Sequence, residues 1–165
     1  MTSSQRLLVC SGLVLLIFAM SYGLWYAVFA EHQRLDKMGA RLAASFAKAA
    51  VSDLQTSHAE LGDYAEAKYL YVREVDAHSH WAGLAILLIL FGAFFDRVRF
   101  TERTRSWLAA AFTASSFVFP FGVLLENFSH GLWPRVLAAL AAGILIASMV
   151  MVAAGFMRSS GAQHE

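Results

Sequence analysis

Two acids and two histidines fall within seven consecutive positions, Glu74-Val75-Asp76-Ala77-His78-Ser79-His80, directly before the apolar run WAGLAILLILFGAFF. Residues four apart share a helix face, so Glu74 pairs with His78 and Asp76 with His80. Farther along, Glu126 and His130 repeat the same spacing. A carboxylate that accepts from one ring nitrogen fixes the imidazole tautomer and leaves the other nitrogen free for a metal or haem iron. His78 and His80 point to nearly opposite faces, so at most one of them serves a given metal. Asp76 and His80 are the pair expected to face Glu126 and His130, and the Glu74–His78 pair is expected to face water.

The elements that must position these groups follow from composition. Of 165 residues, 58% are hydrophobic and only 15% charged, with mean hydropathy +0.54, which indicates a membrane protein and not a soluble domain. A net charge of +1 with scattered basic residues excludes the clustered footprint of a nucleic-acid binder. Cys10, the only cysteine, lies in the first apolar run and forms neither an intrachain disulfide nor a CxxC site.

Apolar stretches predict an all-α polytopic bundle of four transmembrane helices, at 7–30, 77–95, 106–128 and 134–157, forming a single membrane domain over 1–165. Each is near the ~20 residues needed to cross ~30 Å of hydrocarbon. The first run is far longer than the ~7–15 apolar residues of a secretory signal and is expected to stay uncleaved. Arg97, Arg99, Arg103 and Arg105 crowd one short connection, with Arg6 and Arg158 on the same side, whereas the other short connection has only Arg135. The positive-inside rule then puts both termini in the cytoplasm, in the cell inner (cytoplasmic) membrane. Trp25, Tyr26, Trp81 and Trp133 would form the outer aromatic belt and Trp107 part of the inner one.

The connection 31–76 carries Leu35, Met38, Leu42, Phe46 and Leu54 at helical spacing with no proline. It is expected to continue the first helix outward and return as an extracytoplasmic helical hairpin. Ser57 and Glu60, at capping-box spacing, mark a start for the returning helix. Span two, counted from Trp81 to Phe95, has 15 residues. That is roughly 22 Å, short of a bilayer core, so its polar beginning is drawn toward the lipid.

This topology gathers His32, His58, His78, His80 and His130 at the outer face together with Glu74, Asp76 and Glu126. An acid at the end of a span is costly unless paired, either with Arg135 or with a histidine, and is otherwise a functional candidate. Pro120 removes a backbone hydrogen bond and should open space below Glu126, beside Phe117, Phe119, Phe121 and Gly122.

The run His78-Ser79-His80-Trp81-Ala82-Gly83 resembles the H-x-H helix start followed by glycine in small haem-binding membrane proteins related to the haem-copper oxidase core. The likeness is confined to this stretch and implies haem ligation by one of these histidines. From the residues themselves, the leading expectation is haem b or a transition metal (copper, zinc or iron) at the outer face, serving redox or electron transfer. His80 and His130 are the first ligands, His78 and His32 are in reserve, and Glu126, Asp76 and Glu74 are further metal donors. A second expectation is a non-catalytic subunit or assembly factor. Ala138, Ala139, Ala141, Ala142, Gly143 and Ala147 on span four would allow close approach to other membrane subunits or to a second copy. A third is an extracytoplasmic sensor that signals through a partner.

Overall fold

The computed structural model describes residues 1–129 and 131–160, with side chains described through residue 157. Helix α1 spans Ser3–Trp25, α2 Glu31–Ala50, α3 Leu54–Phe94, α4 Glu102–Leu125 and α5 Leu132–Ser160. Among the described residues there is no strand, and four helices are long and apolar enough to cross a membrane.

Helix α1 starts at a reciprocal cap, in which the Thr2 hydroxyl accepts from the Gln5 amide and the Gln5 side chain accepts from the Thr2 amide. It passes into α2 through a π-helical turn, Tyr26–Ala30, without breaking. The expectation that the first helix continues beyond the span into the connection therefore holds. Helix α3 has 41 residues, about 62 Å at ~1.5 Å per residue, roughly twice the thickness of a hydrocarbon core. It shows no break between residues 76 and 77, where the hairpin was expected to give way to a span.

The hairpin turn differs from the sequence expectation. Asp53, not Ser57, caps α3 by accepting from the Thr56 amide, and Ser52 takes φ 62° to reverse the chain. Ser57 instead interlocks with Ser45, each hydroxyl donating to the other's carbonyl at 3.0 and 3.1 Å. A capping-box spacing is only local, whereas this serine pair joins two helices, and here the longer-range pairing prevails.

The body of the molecule is α1, α3 and α4, each packed on the other two. Helix α5 lies outside against α4 and the 3-10 turn Phe95–Arg97, which follows α3. Leu8, Leu15, Ala19, Leu84, Leu88 and Phe112 fill the centre. Several of the helix contacts are close backbone approaches at glycine. At Gly12, an added Cβ would stand 2.9 Å from the Ala85 carbonyl oxygen. Between α4 and α5, Gly122 meets the Ala138 backbone, and α5 buries Ala138, Ala141, Leu145, Ser148 and Val152. Ala139, Gly143 and Ala147 face outward, so only part of the small-residue stripe serves the bundle.

Candidate functional site

Periodicity along α3 divides its polar residues into two stripes. Ala67, Tyr71, Glu74 and His78 face α1 and α2, Tyr69, Arg73 and His80 face α4, and Trp81 reaches both α1 and α4. The charges separate accordingly.

On the α2 side, Glu74 is 9% exposed and accepts a two-pronged bond from Arg34, at 2.6 Å from Nη2 and 3.2 Å from Nε. This hydrogen bond, joined by the carboxylate charge, raises the Arg34 pKa above its ordinary value although burial opposes it. Glu74 therefore faces neither water nor His78, correcting both expectations. The nearest stronger donor, Arg34, lies 40 residues away in the chain and captures it. The His78 ring packs instead over Gly23, where an added Cβ would come within 2.4 Å of Cε1, and it lies beside Tyr22. His78 Nδ1 and the Tyr26 hydroxyl are buried with no hydrogen-bond partner among the described residues.

On the α4 side, Glu126 is 5% exposed and accepts from the Tyr69 hydroxyl at 2.6 Å, with Arg73 at 3.2 Å and Arg135 at 3.9 Å. Arg73 also lies over the Tyr69 ring, 5.0 Å from its centroid. The expected pairing with Arg135 is present but is the longest of the three. Tyr69 and Arg73, which sequence reasoning did not single out, are the main partners. Their i,i+4 spacing, in register with Asp76 and His80, is the signal that would have pointed to them.

His80 does not bond the Asp76 carboxylate, as its spacing had suggested. Its Nδ1 lies 2.6 Å from the Asp76 backbone carbonyl. A carbonyl only accepts, so Nδ1 is the donor and, in the neutral ring, Nε2 is the nitrogen with the lone pair. The imidazole is held edge-on by Phe119, with ring centroids 4.9 Å apart at 89°. His80 is exposed, and among the described residues Nε2 has no partner. Below it a laterally open groove of about 280 Å³ is lined by Ser79, His80, Gly83, Leu84 and Leu87.

His32 is on α2, strongly exposed, and pairs with Asp36 at 3.2 Å. His130 lies outside the described residues. The structure thus brings His80 to α4 but does not gather His32, His78, Glu74 and Asp76 around it. Among the described residues no three His, Cys, Asp or Glu side chains form a metal-holding group.

Pro120 is buried within α4, and one turn before it the Trp81 indole N–H donates to the Phe117 carbonyl at 3.4 Å. A proline loosens the helical ladder at that level, and the indole supplies a donor there. Beside Trp81 an apolar cavity of about 350 Å³ opens between α1, α3 and α4, lined by Val14, Phe18, Phe117, Val118 and Phe121. The expected space near Phe117 and Phe121 is present, while Phe119 is used by His80 and Gly122 by α5.

No known family, curated protein or solved structure matches this chain.

Proposed function

We propose that the protein is a membrane subunit that holds a haem or a transition metal through His80 and serves one-electron transfer. The supporting observation is the His80 imidazole itself. Its neutral tautomer is set by the Asp76 carbonyl, its plane by Phe119, and its Nε2 is left open on a lateral face. An imidazole fixed in this way could hold a haem iron through Nε2, and the haem would supply the one-electron redox chemistry. A transition-metal cage would need three or four His, Cys, Asp or Glu donors, so the other donors would have to join His80 from outside the described residues, and Glu74 and Glu126 are already engaged by arginines. Gly83 adds no side chain above the groove, so a flat group could lie against α3 there. The remaining coordination would come from His130 or from a second polypeptide.

The same reading places the hairpin outside the cytoplasmic membrane and both termini in the cytoplasm, because Arg97, Arg99, Arg103 and Arg105 share the opposite end. His80 then stands at the outer hydrocarbon boundary, two turns or about 10 Å inward of Arg73 along α3.

The test is the visible spectrum of the purified protein, oxidised and dithionite-reduced, together with metal analysis. A Soret band or stoichiometric metal lost in His80→Ala but retained in His32→Ala supports the assignment. Protein purified without haem or stoichiometric metal, or a signal indifferent to His80→Ala, refutes it.

A further inference from the structure

The hairpin is built with its polar and apolar surfaces exchanged. Between α2 and α3 the side-chain bonds are polar and ionic: Ser45 with Ser57, Arg41 with Glu60 at 2.9 Å and Asp63 at 3.1 Å, and Arg34 with Glu74, beside buried Ala67 and half-buried Met38. Of the apolar residues of the segment, Met38 and Leu42 are half-buried and others are exposed. Leu35 is 45% exposed, Phe46 68%, Leu54 60%, Leu61 41% and Val72 40%.

Helical geometry places them together. Relative to the seam residues Arg34, Arg41 and Ser45, positions 35, 42 and 46 lie about a quarter-turn round α2 at ~100° per residue. Relative to Ser57, Glu60, Ala67 and Glu74, positions 54, 61 and 72 lie about a quarter-turn round α3. Because the two helices are antiparallel, both quarter-turns open on the same side of the hairpin. The opposite side carries Gln33, Lys37, Ala40 and Glu66, with Asp63 at the edge of the seam.

From this exchange we infer that the apolar face of the α2–α3 hairpin docks on the same face of a second copy of the chain, forming an intermolecular four-helix bundle. Two arguments favour a second copy over another occupant. First, α2 is 20 residues long. Two helices about 10 Å wide and about 30 Å long cover about 600 Å² per copy, or about 1,200 Å² in total, which meets the lower bound of a stable interface. Second, both copies are anchored in the same direction, so a two-fold axis must run along the helices. It sets α2 of one copy antiparallel to α3 of the other, as the hairpin itself already does. The interface is self-complementary in register: Ser45 stands level with Ser57, so Leu42 of one copy meets Leu61 of the second. Lys68 lies within the face, where its apolar stem can pack while the ammonium reaches the rim.

The inference does not depend on a bound haem or metal and is tested separately. In a Cys10→Ser background, differently tagged full-length copies carrying Leu42→Cys and Leu61→Cys are mixed in nanodiscs and oxidised. The expected product is a mixed disulfide dimer, with none from Ala40→Cys mixed with Glu66→Cys. Mass photometry of the wild type should read twice the 18.1 kDa chain mass once lipid is subtracted. Phe46→Asp with Leu61→Asp should return it to one chain while circular dichroism stays unchanged. A monomeric wild type, cross-linking no better than the Ala40/Glu66 control, or a dimer that survives the double aspartate variant overturns the inference.

Discussion

Replacing Arg34 with methionine removes the only ion-pair partner that Glu74 has among the described residues, and it preserves most of the side-chain volume. Breaking a buried ion pair by deleting one member costs about 3–5 kcal/mol, since the remaining charge keeps its desolvation penalty. The Glu74 side chain is 12% exposed but that of Arg34 is 33% exposed, so water reaches the pair from one side. That partial screening lowers the expected cost to about 2–3 kcal/mol. Such a loss is a factor of roughly 30–150 in the opening equilibrium of the hairpin. Native-state hydrogen exchange of the α2 amides in nanodiscs reads it directly, as exchange faster by that factor in Arg34→Met. Adding Glu74→Met removes the stranded charge, and the double variant should return to within about 1 kcal/mol of the wild type. Arg73→Met is the internal comparison. It should cost less than Arg34→Met, because Glu126 keeps the Tyr69 hydroxyl at 2.6 Å and Arg135 at 3.9 Å. If Arg34→Met exchanges at the wild-type rate, or the double variant opens as readily as the single, Glu74 is not held in the way the geometry indicates.

Gly23→Ala should destabilise the α1–α3 contact by about 1–3 kcal/mol through the clash with the His78 ring. Gly39→Ala on α2, where a Cβ meets nothing within 4 Å, should instead stabilise by about 0.5–1 kcal/mol, and thermal unfolding in detergent separates the two. Ser52→Gly should raise hairpin stability by about 1 kcal/mol, because Ser52 sits at φ 62° and glycine occupies that region without the Cβ penalty; urea-dependent exchange of the turn amides measures it. Asp53 is held below the ordinary carboxylate pKa of 3.8 by its side-chain and backbone hydrogen bonds to Thr56. A folded-state pKa below the unfolded one means the stabilisation is complete above the unfolded value and is lost as pH falls through the folded value. Protection of the Thr56 amide should therefore drop on acidification through and below that range, while Asp53→Asn, which caps without titrating, should show no such drop.

The helical scaffold was readable because its signals are local. A run of apolar residues long enough to span hydrocarbon keeps its meaning whatever surrounds it, so all four expected spans appear as helices. The continuation of the first span into the hairpin was equally legible, since Leu35, Met38, Leu42 and Phe46 repeat at helical spacing without a breaker. The start of the returning helix was misread because Ser57 fits two local roles, cap and contact, and only the position of Ser45 decides between them.

The site divides along the same line. Sequence by itself determined which side chains share a face of α3, because 3.6 residues per turn is a property of the backbone. Only the tertiary structure decided what each face meets. Glu74 meets Arg34 across 40 residues of chain, Glu126 meets Tyr69 across 57, and His80 takes a backbone carbonyl instead of the carboxylate beside it. Residues at i and i+4 can pair but need not. A buried carboxylate bonds the donors that folding brings within reach, and periodicity in one helix carries no information about the helix packed against it.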